Sequence, residues 1–375
     1  MRIGFDAKRL FFNRTGLGNY SRTTLRHLAT AFPEQEYVLF SPKRPVPNSY
    51  PSFQVTPFQV QTGSGPSAWW RSFGQTKDWE IHGIDLYHGL SNELPFTTAK
   101  TKISTIVTIH DLIFKAYPQT YPWIDRQIYD IKSRRSCQLA SKVIAISQST
   151  KADLIRWYQI PTEKIEVIYQ PVAGHYYELL PVSQVERIRQ QYHLPETFVL
   201  SVGTIEARKN LGLVIEALGQ IPKAHRPPLV VVGKPTSYKK EVVENIQKRQ
   251  LGQQVLWLDW LEDYRDLQAL YQAATLFVYP SKYEGMGLPV IEAQLSGTLA
   301  ITSTASSLPE AGGEHAVLVD PENSEELAVQ IQVLLSDTES RKQKAEAGQR
   351  DARLRFNPAT LTKQLHRLYE RLRTK

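Results

Sequence analysis

Two carboxylates eight positions apart, Glu284 and Glu292, bracket the run Gly285-Met286-Gly287-Leu288-Pro289. An apolar run, Leu276-Phe-Val-Tyr279, precedes them and reads as a buried strand. Pro289 suits a first helical position, where its missing N–H costs nothing, and Gly297 suits the stop. The expected order is therefore strand, loop with Glu284, flexible Gly-x-Gly, then a helix carrying Glu292 in its first turn. A helix N-terminus offers free N–H groups to phosphate. A carboxylate accepts hydrogen bonds from hydroxyls and repels phosphate. Together these groups suit a ligand with phosphate in the middle and polyols at both ends, the shape of a nucleotide diphosphate sugar.

Arg208 and Lys209 follow another apolar run, Phe198–Val202, and precede Asn210, a fitting helix cap. An Arg fork beside a Lys point charge can clamp a diphosphate and take up charge on a departing phosphate. Thr15-Gly16-Leu-Gly18-Asn-Tyr20 lies between the first strand and a helix. Dinucleotide binding would want a third glycine where the chain has Ser21, which argues against NAD. His110 and Asp111 end the most apolar strand of the first half, and His88 ends another. Strand ends are where ligands meet an open parallel sheet. Trp69-Trp70-Arg71, with Trp79, suits either an acceptor or membrane-edge surface, or burial against the sheet, which we favour. Trp260–Tyr264 is a candidate for the nucleobase. No Asp-x-Asp, HExxH, P-loop or Gly-x-Ser-x-Gly occurs.

The Glu-x7-Glu element, with the Arg208-Lys209 segment, resembles the signature of retaining glycosyltransferases of family 4, which have the GT-B fold. The resemblance spans nearly the whole chain. It implies an α/β architecture of two Rossmann-like domains facing across a cleft, with a C-terminal helix crossing back to the first. It places Glu284 on the donor hexose, Glu292 on the ribose, and Gly285, Met286, Gly287 and Leu288 near the sugar and distal phosphate. Met286 stands where the family often has an aromatic. The resemblance also assigns Arg208 and Lys209 to the diphosphate, Gly16 and Gly18 to a loop closing on donor and acceptor, and His110 to the transferring sugar or acceptor. Leu308–Gly313 resembles a loop that braces the donor site. Implied catalytic residues are His110, Glu284, Arg208 and Lys209. The reaction would be retaining, with no cofactor and no metal. Thr15–Tyr20 and Ile109–Phe114 look most like mannosyltransferases of polysaccharide and O-antigen assembly, which makes GDP-mannose the first donor to test. Two other classes fit the same residues. A UDP-sugar epimerase would isomerise donor without acceptor, and a non-catalytic sugar-binding protein would release no nucleotide diphosphate.

The 375 residues suit two domains. We place them at 1–178 for the acceptor and 179–356 for the donor, with a crossover helix at 357–375. A linker is expected near 171–195. Strands are expected at Ile3–Asp6, Tyr37–Ser41, Gln54–Pro57, Leu86–His88, Ser104–Ile109, Val143–Ile146 and Ile165–Ile168. In the second half they are Phe198–Val202, Leu229–Val232, Val255–Leu258, Leu276–Tyr279, Leu299–Thr302 and Ala316–Val319. Helical patterns alternate with them, which implies parallel sheets. A single cysteine, Cys137, excludes a disulfide frame. The N-terminus reads as a strand and not as a signal peptide, and no run reaches the roughly 18–20 apolar residues of a membrane span. A cytoplasmic enzyme fits, with peripheral placement on the inner face of the plasma membrane. Residues 1–180 hold 21 basic and 14 acidic side chains (+7), residues 181–340 hold 13 and 20 (−7), and residues 341–375 hold 11 and 3 (+8). The basic half and tail imply an acidic partner: anionic lipid, a lipid-linked phosphate acceptor, or nucleic acid. No nucleic-acid motif appears, and a solvated basic face accounts for the charge equally well. The implied partners are a nucleotide sugar donor, a glycan or lipid-linked acceptor and an anionic membrane surface, without nucleic acid.

Overall fold

The computed structural model describes residues 1–13, 15–45, 57–64, 66–259, 261, 263 and 265–373. The chain divides into two compact units. One is Met1–Ala173 with Phe356–Lys375, and the other is Gly174–Arg355. The described residues of each form one fully parallel sheet.

In the first unit the strands are β1 (Arg2–Asp6), β2 (Glu36–Ser41), β3 (Gln59–Thr62), β4 (Leu86–Gly89), β5 (Ser104–Ile109), β6 (Lys142–Ala145) and β7 (Ile165–Val167). Their order is β3-β2-β1-β4-β5-β6-β7. The second unit has β8 (Val199–Val202), β9 (Leu229–Val232), β10 (Val255–Leu258), β11 (Leu276–Tyr279), β12 (Ala300–Ser303) and β13 (Val317–Val319). These run β10-β9-β8-β11-β12-β13. Strands with near-continuous β-branched runs, such as Thr-Ile-Val-Thr-Ile in β5, are legible as parallel because both faces are covered. Around the first sheet, Phe5, Leu39 and Ile106 belong to one apolar cluster, and Phe40, Val107 and Val143 belong to another. The strand order reverses between β1 and β4, and between β8 and β11. Such switch points open a crevice at the carboxyl ends of the strands.

Three expectations need adjustment. Of the expected strand at Gln54–Pro57, residues 54–56 lie outside the described residues, and the edge strand is Gln59–Thr62. The stretch read as a linker carries a helix, Val182–Gln191, inside the second unit. Its sequence is polar because it buries only Ile188 fully, so no apolar period announces it. Gly16 and Gly18 do not form a loop: the helix Gly16–Ala31 begins at Gly16. Asn13 fixes that start, its Oδ1 accepting from the N–H groups of Thr15 (2.9 Å) and Gly18 (3.2 Å). A Cβ at residue 18 would lie 1.9 Å from the Asn13 carbonyl oxygen, so only glycine fits.

The final helix, Pro358–Arg373, packs on the first unit. Asn357 caps it through the Thr360 N–H at 3.1 Å. Leu361, Leu365, Leu368, Tyr369 and Leu372 are buried. Four of these, Leu361 excepted, join the cluster of Ile3, Phe5 and Leu86. The Tyr369 hydroxyl bonds His88 Nδ1 at 2.7 Å, and His88 Nε2 bonds Thr108 Oγ1 at 2.8 Å. Burial pushes the His88 pKa down to about 3, so the ring is neutral and structural. Tyr369→Phe leaves Nδ1 buried without its partner. The expected cost is about 1–3 kcal/mol, read as a lower urea midpoint at unchanged slope.

Candidate functional site

The site with the densest chemistry lies at the β8/β11 switch point of the second unit. After β11 the chain runs Pro280-Ser-Lys-Tyr-Glu284 and then turns at Gly287, whose φ is +79°. A Cβ there would also meet Leu308 Cδ2 at 2.8 Å, so both conformation and space require glycine. The helix Leu288–Leu295 follows with proline in its first turn. Glu292 falls in the second turn of that helix and not, as expected, in the first. The cause is a helix start at Leu288, one residue before the Pro289 start expected from the sequence.

Glu284 is buried, and four groups converge on its Oε1. Lys209 Nζ lies at 2.6 Å, Ser281 Oγ at 2.8 Å, Arg208 Nη1 at 2.9 Å and the Tyr279 hydroxyl at 2.9 Å. Burial alone would raise its pKa. The charges of Lys209 and Arg208 overcome that and hold it at about 2. The backbone is fixed as well. The Glu284 N–H donates to Ser306 Oγ at 2.8 Å, and Ser307 Oγ donates to the Glu284 carbonyl at 2.9 Å. All four described side-chain contacts fall on Oε1. A carboxylate locked on one oxygen keeps its orientation without reorganisation.

Arg208 and Lys209 leave the end of β8 in a single 3-10 turn, Ala207–Lys209. Arg208 also contacts Glu206 Oε1 and the Tyr283 carbonyl, each at 2.5 Å. Lys209 Nζ also donates to the Tyr279 hydroxyl. Asn210, expected as a helix cap, makes no capping bond and adopts the left-handed region, φ 61°. Its amide instead donates to the carbonyls of Pro280 (3.1 Å) and Pro321 (2.7 Å). This ties the β8 loop to the β11 loop and holds the cations against Glu284.

Glu292 shares no described partner with Glu284. The Tyr271 hydroxyl donates to its Oε2 at 3.1 Å. Burial pushes the carboxyl up to about 7, against the opposing pull of that bond. The folded state therefore favours the protonated form. Its contribution to stability is complete below the ordinary value of 4.5 and is lost as pH rises through about 7. Glu292→Gln mimics the protonated form. Its melting temperature should match the parent below about pH 4.5, exceed it increasingly up to about pH 7, and keep a constant lead above. A lead independent of pH would refute the raised pKa.

In the first unit His110 follows β5. Its Nε2 donates to the Leu90 carbonyl at 2.8 Å, and its backbone N–H donates to Asn92 Oδ1 at 2.8 Å. Burial lowers its pKa to about 4, although the Leu90 and Gln170 contacts pull the other way. The ring meets Tyr20 edge-on at 4.6 Å. Tyr20 sits on the Gly16–Ala31 helix, so that helix and the β5 terminus converge. His110 is thus a neutral ring with its Nε2–H already committed. Asp111 accepts from the Ile113 N–H at 3.1 Å. Trp70 and Trp79 are buried, and Trp69 is exposed. Arg71 pairs with Asp6 at 2.9 Å and Glu93 at 2.8 Å. Trp260, Glu262 and Tyr264, from the segment considered for the nucleobase, lie outside the described residues.

Sequence reasoning had no signal for Tyr279, Ser281, Ser306 and Ser307, whose hydroxyls set the Glu284 geometry. It named Leu308–Gly313 but not the two serines before it.

Comparison with known proteins adds independent findings. Residues 16–173 match the model for Glycosyltransferase Family 4, and residues 184–351 match that for Glycosyl transferases group 1. O-antigen chain mannosyltransferase B of Escherichia coli is 26% identical over 357 residues, covering 90% of this chain and 91% of that one. The serotype-specific mannosyltransferase WbdA of Escherichia coli is 27% identical over 267 residues, covering 68% of this chain but 32% of its own. The crystal structure of Anabaena Alr3699/HepE in complex with UDP superposes with a TM-score of 0.78 at 22% identity, covering 99% of this chain and 100% of that one.

Proposed function

The chain belongs to the glycosyltransferases of group 1 and family 4, and from that premise we propose that it moves a hexose from a nucleotide diphosphate to a hydroxyl of a glycan or lipid-linked acceptor. The second unit holds the donor and the first receives the acceptor. Mannose from GDP-mannose is the first candidate, and surface polysaccharide assembly is the setting. The mannosyltransferase names of the relatives support this choice.

The observation that carries the reading is the Glu284 carboxylate pinned on Oε1 by Arg208 and Lys209. Oε2 then accepts from the donor sugar, while the two cations stand ready for the diphosphate. In the transfer, the acceptor oxygen bonds to the anomeric carbon as the bond from that carbon to the phosphate oxygen breaks. The electron pair leaves on the phosphate, where Arg208 and Lys209 stabilise it. The acceptor proton passes to the departing phosphate oxygen on the same face, so configuration is retained. Two fixed cations beside the phosphate supply the countercharge a divalent ion would otherwise give, and metal independence is part of the proposal.

A thermal-shift screen over GDP, UDP, ADP and their sugars tests the donor, followed by transfer to a polyprenyl-linked glycan with and without EDTA. NMR of the product anomeric proton reads the configuration. Stabilisation by GDP-mannose, α-linked product and full rate in EDTA are expected. Stabilisation by UDP-sugars alone overturns the donor, and inverted product overturns the mechanism. Isomerised donor without acceptor would make the chain an epimerase.

A further inference from the structure

The helix Trp123–Leu139 is turned the wrong way round for a water-facing element. Its buried residues are Ser133, Ser136 and Cys137. Small side chains let it sit close to the sheet, and Ser136 Oγ accepts the Leu94 N–H at 2.8 Å. The large apolar residues point outward. Ile124 is 65% exposed, Ile128 44% and Ile131 60%, at spacings that form one stripe, and Trp123 at the helix start is 66% exposed. An amphipathic helix of a water-soluble protein puts such a stripe in the core. Here Arg135 continues the stripe, and Arg134 is exposed beside it. The helix carries four basic and two acidic side chains, and one of the acids, Asp130, is neutralised by Lys115 at 2.6 Å. The other, Asp125, is exposed near Trp123.

We propose that this face seats the protein on an anionic bilayer surface: Trp123, Ile124, Ile128 and Ile131 enter the boundary between headgroups and acyl chains, and Arg134 and Arg135 meet lipid phosphates. An apolar stripe edged by tryptophan and arginine is the chemistry of an interfacial helix. Among the described residues no helix is long and apolar enough to cross a membrane, so the contact is one of surface binding. It rests on the reading of a lipid-linked acceptor, whose reactive end would lie at the height of such a helix.

Flotation of the full chain with vesicles tests the assignment. The parent should float with phosphatidylcholine containing about 30 mol% phosphatidylglycerol and float weakly with phosphatidylcholine alone. The triple change Ile124→Ser, Ile128→Ser, Ile131→Ser should lower partitioning by more than about tenfold. Arg135→Glu should lower it by about fivefold or more. All three positions of the triple variant are exposed, and circular dichroism verifies its fold. A parent that fails to float, or a triple variant that floats equally well, overturns the proposal. So does light scattering that shows a lipid-free dimer broken by the triple variant, since the face would then join two copies. Nucleotide diphosphate binding and transfer to a water-soluble acceptor are measured alongside. Their loss in the parent would sink the proposed function, whereas failure to float with both intact sinks the bilayer contact alone.

Discussion

Glu284→Gln should lower kcat/KM for sugar transfer by about 10²–10³-fold, equivalent to about 3–4 kcal/mol, while nucleotide diphosphate binds as tightly as before or tighter. The two halves of this result follow from one geometry. Arg208 Nη1 and Lys209 Nζ both rest on Glu284 Oε1, at 2.9 and 2.6 Å. Under the proposed function a diphosphate draws on the same cations. Neutralising the carboxylate removes a competitor and a repulsive charge, so diphosphate affinity holds or rises. Transfer falls because the charged acceptor for the sugar hydroxyl is gone. Isothermal titration with nucleotide diphosphate beside single-turnover transfer separates the two. Collapse of both together would mean that Glu284 serves mainly to hold the loops in place. The pH dependence gives a second readout. A carboxyl held at about 2 stays ionised across the working range. Its contribution to stability is present above the ordinary value of 4.5 and lost only as pH falls towards about 2. Acid unfolding of the parent should therefore show a step in that window that Glu284→Gln lacks.

Much of this site was legible because strand ends and charged side chains are local signals. The apolar runs before Arg208 and before Glu284 mark β8 and β11, and parallel topology brings their ends together at a switch point. What those groups do to one another was not legible. Taken from the sequence alone, the carboxylate suits a sugar and the cations suit a phosphate, as separate duties. The structure makes them one ion cluster, because β8 and β11 are neighbours and Asn210 laces their loops. Hydroxyls such as Ser281 and Ser307 carry no sequence signal of their own, since their function depends wholly on what the fold sets beside them. The same limit applies to surfaces. For Trp69-Trp70-Arg71 the sequence leaves a binding surface and burial both open, with burial favoured; the fold buries Trp70 and pairs Arg71 with Asp6 and Glu93 but leaves Trp69 exposed. The isoleucine stripe of Trp123–Leu139 has a helical period that reads as core. Only the tertiary structure shows that the small residues of that helix take the inner face.

Arg208→Ala should reduce kcat/KM by about 10²–10³-fold and weaken nucleotide diphosphate by about tenfold or more, while the nucleoside alone binds within about twofold of the parent. Arg208 reaches Glu206, Glu284 and the Tyr283 carbonyl at once. That spread uses the fork of a guanidinium, and a lysine offers a single point charge on a flexible stem. Arg208→Lys should therefore recover diphosphate binding in part but little of the rate, because attraction needs only charge whereas leaving-group stabilisation needs placement. Lys209 limits how far the damage spreads. It remains on Glu284 in the Arg208 variant and keeps that carboxylate ionised, so the loss reflects the missing guanidinium and not a protonated Glu284. The contrast between nucleoside and nucleotide diphosphate decides the matter. Equal weakening of both would place Arg208 in the framework of the site, through its bonds to Tyr283 and Glu206, and would leave Lys209 as the cation that meets the phosphate.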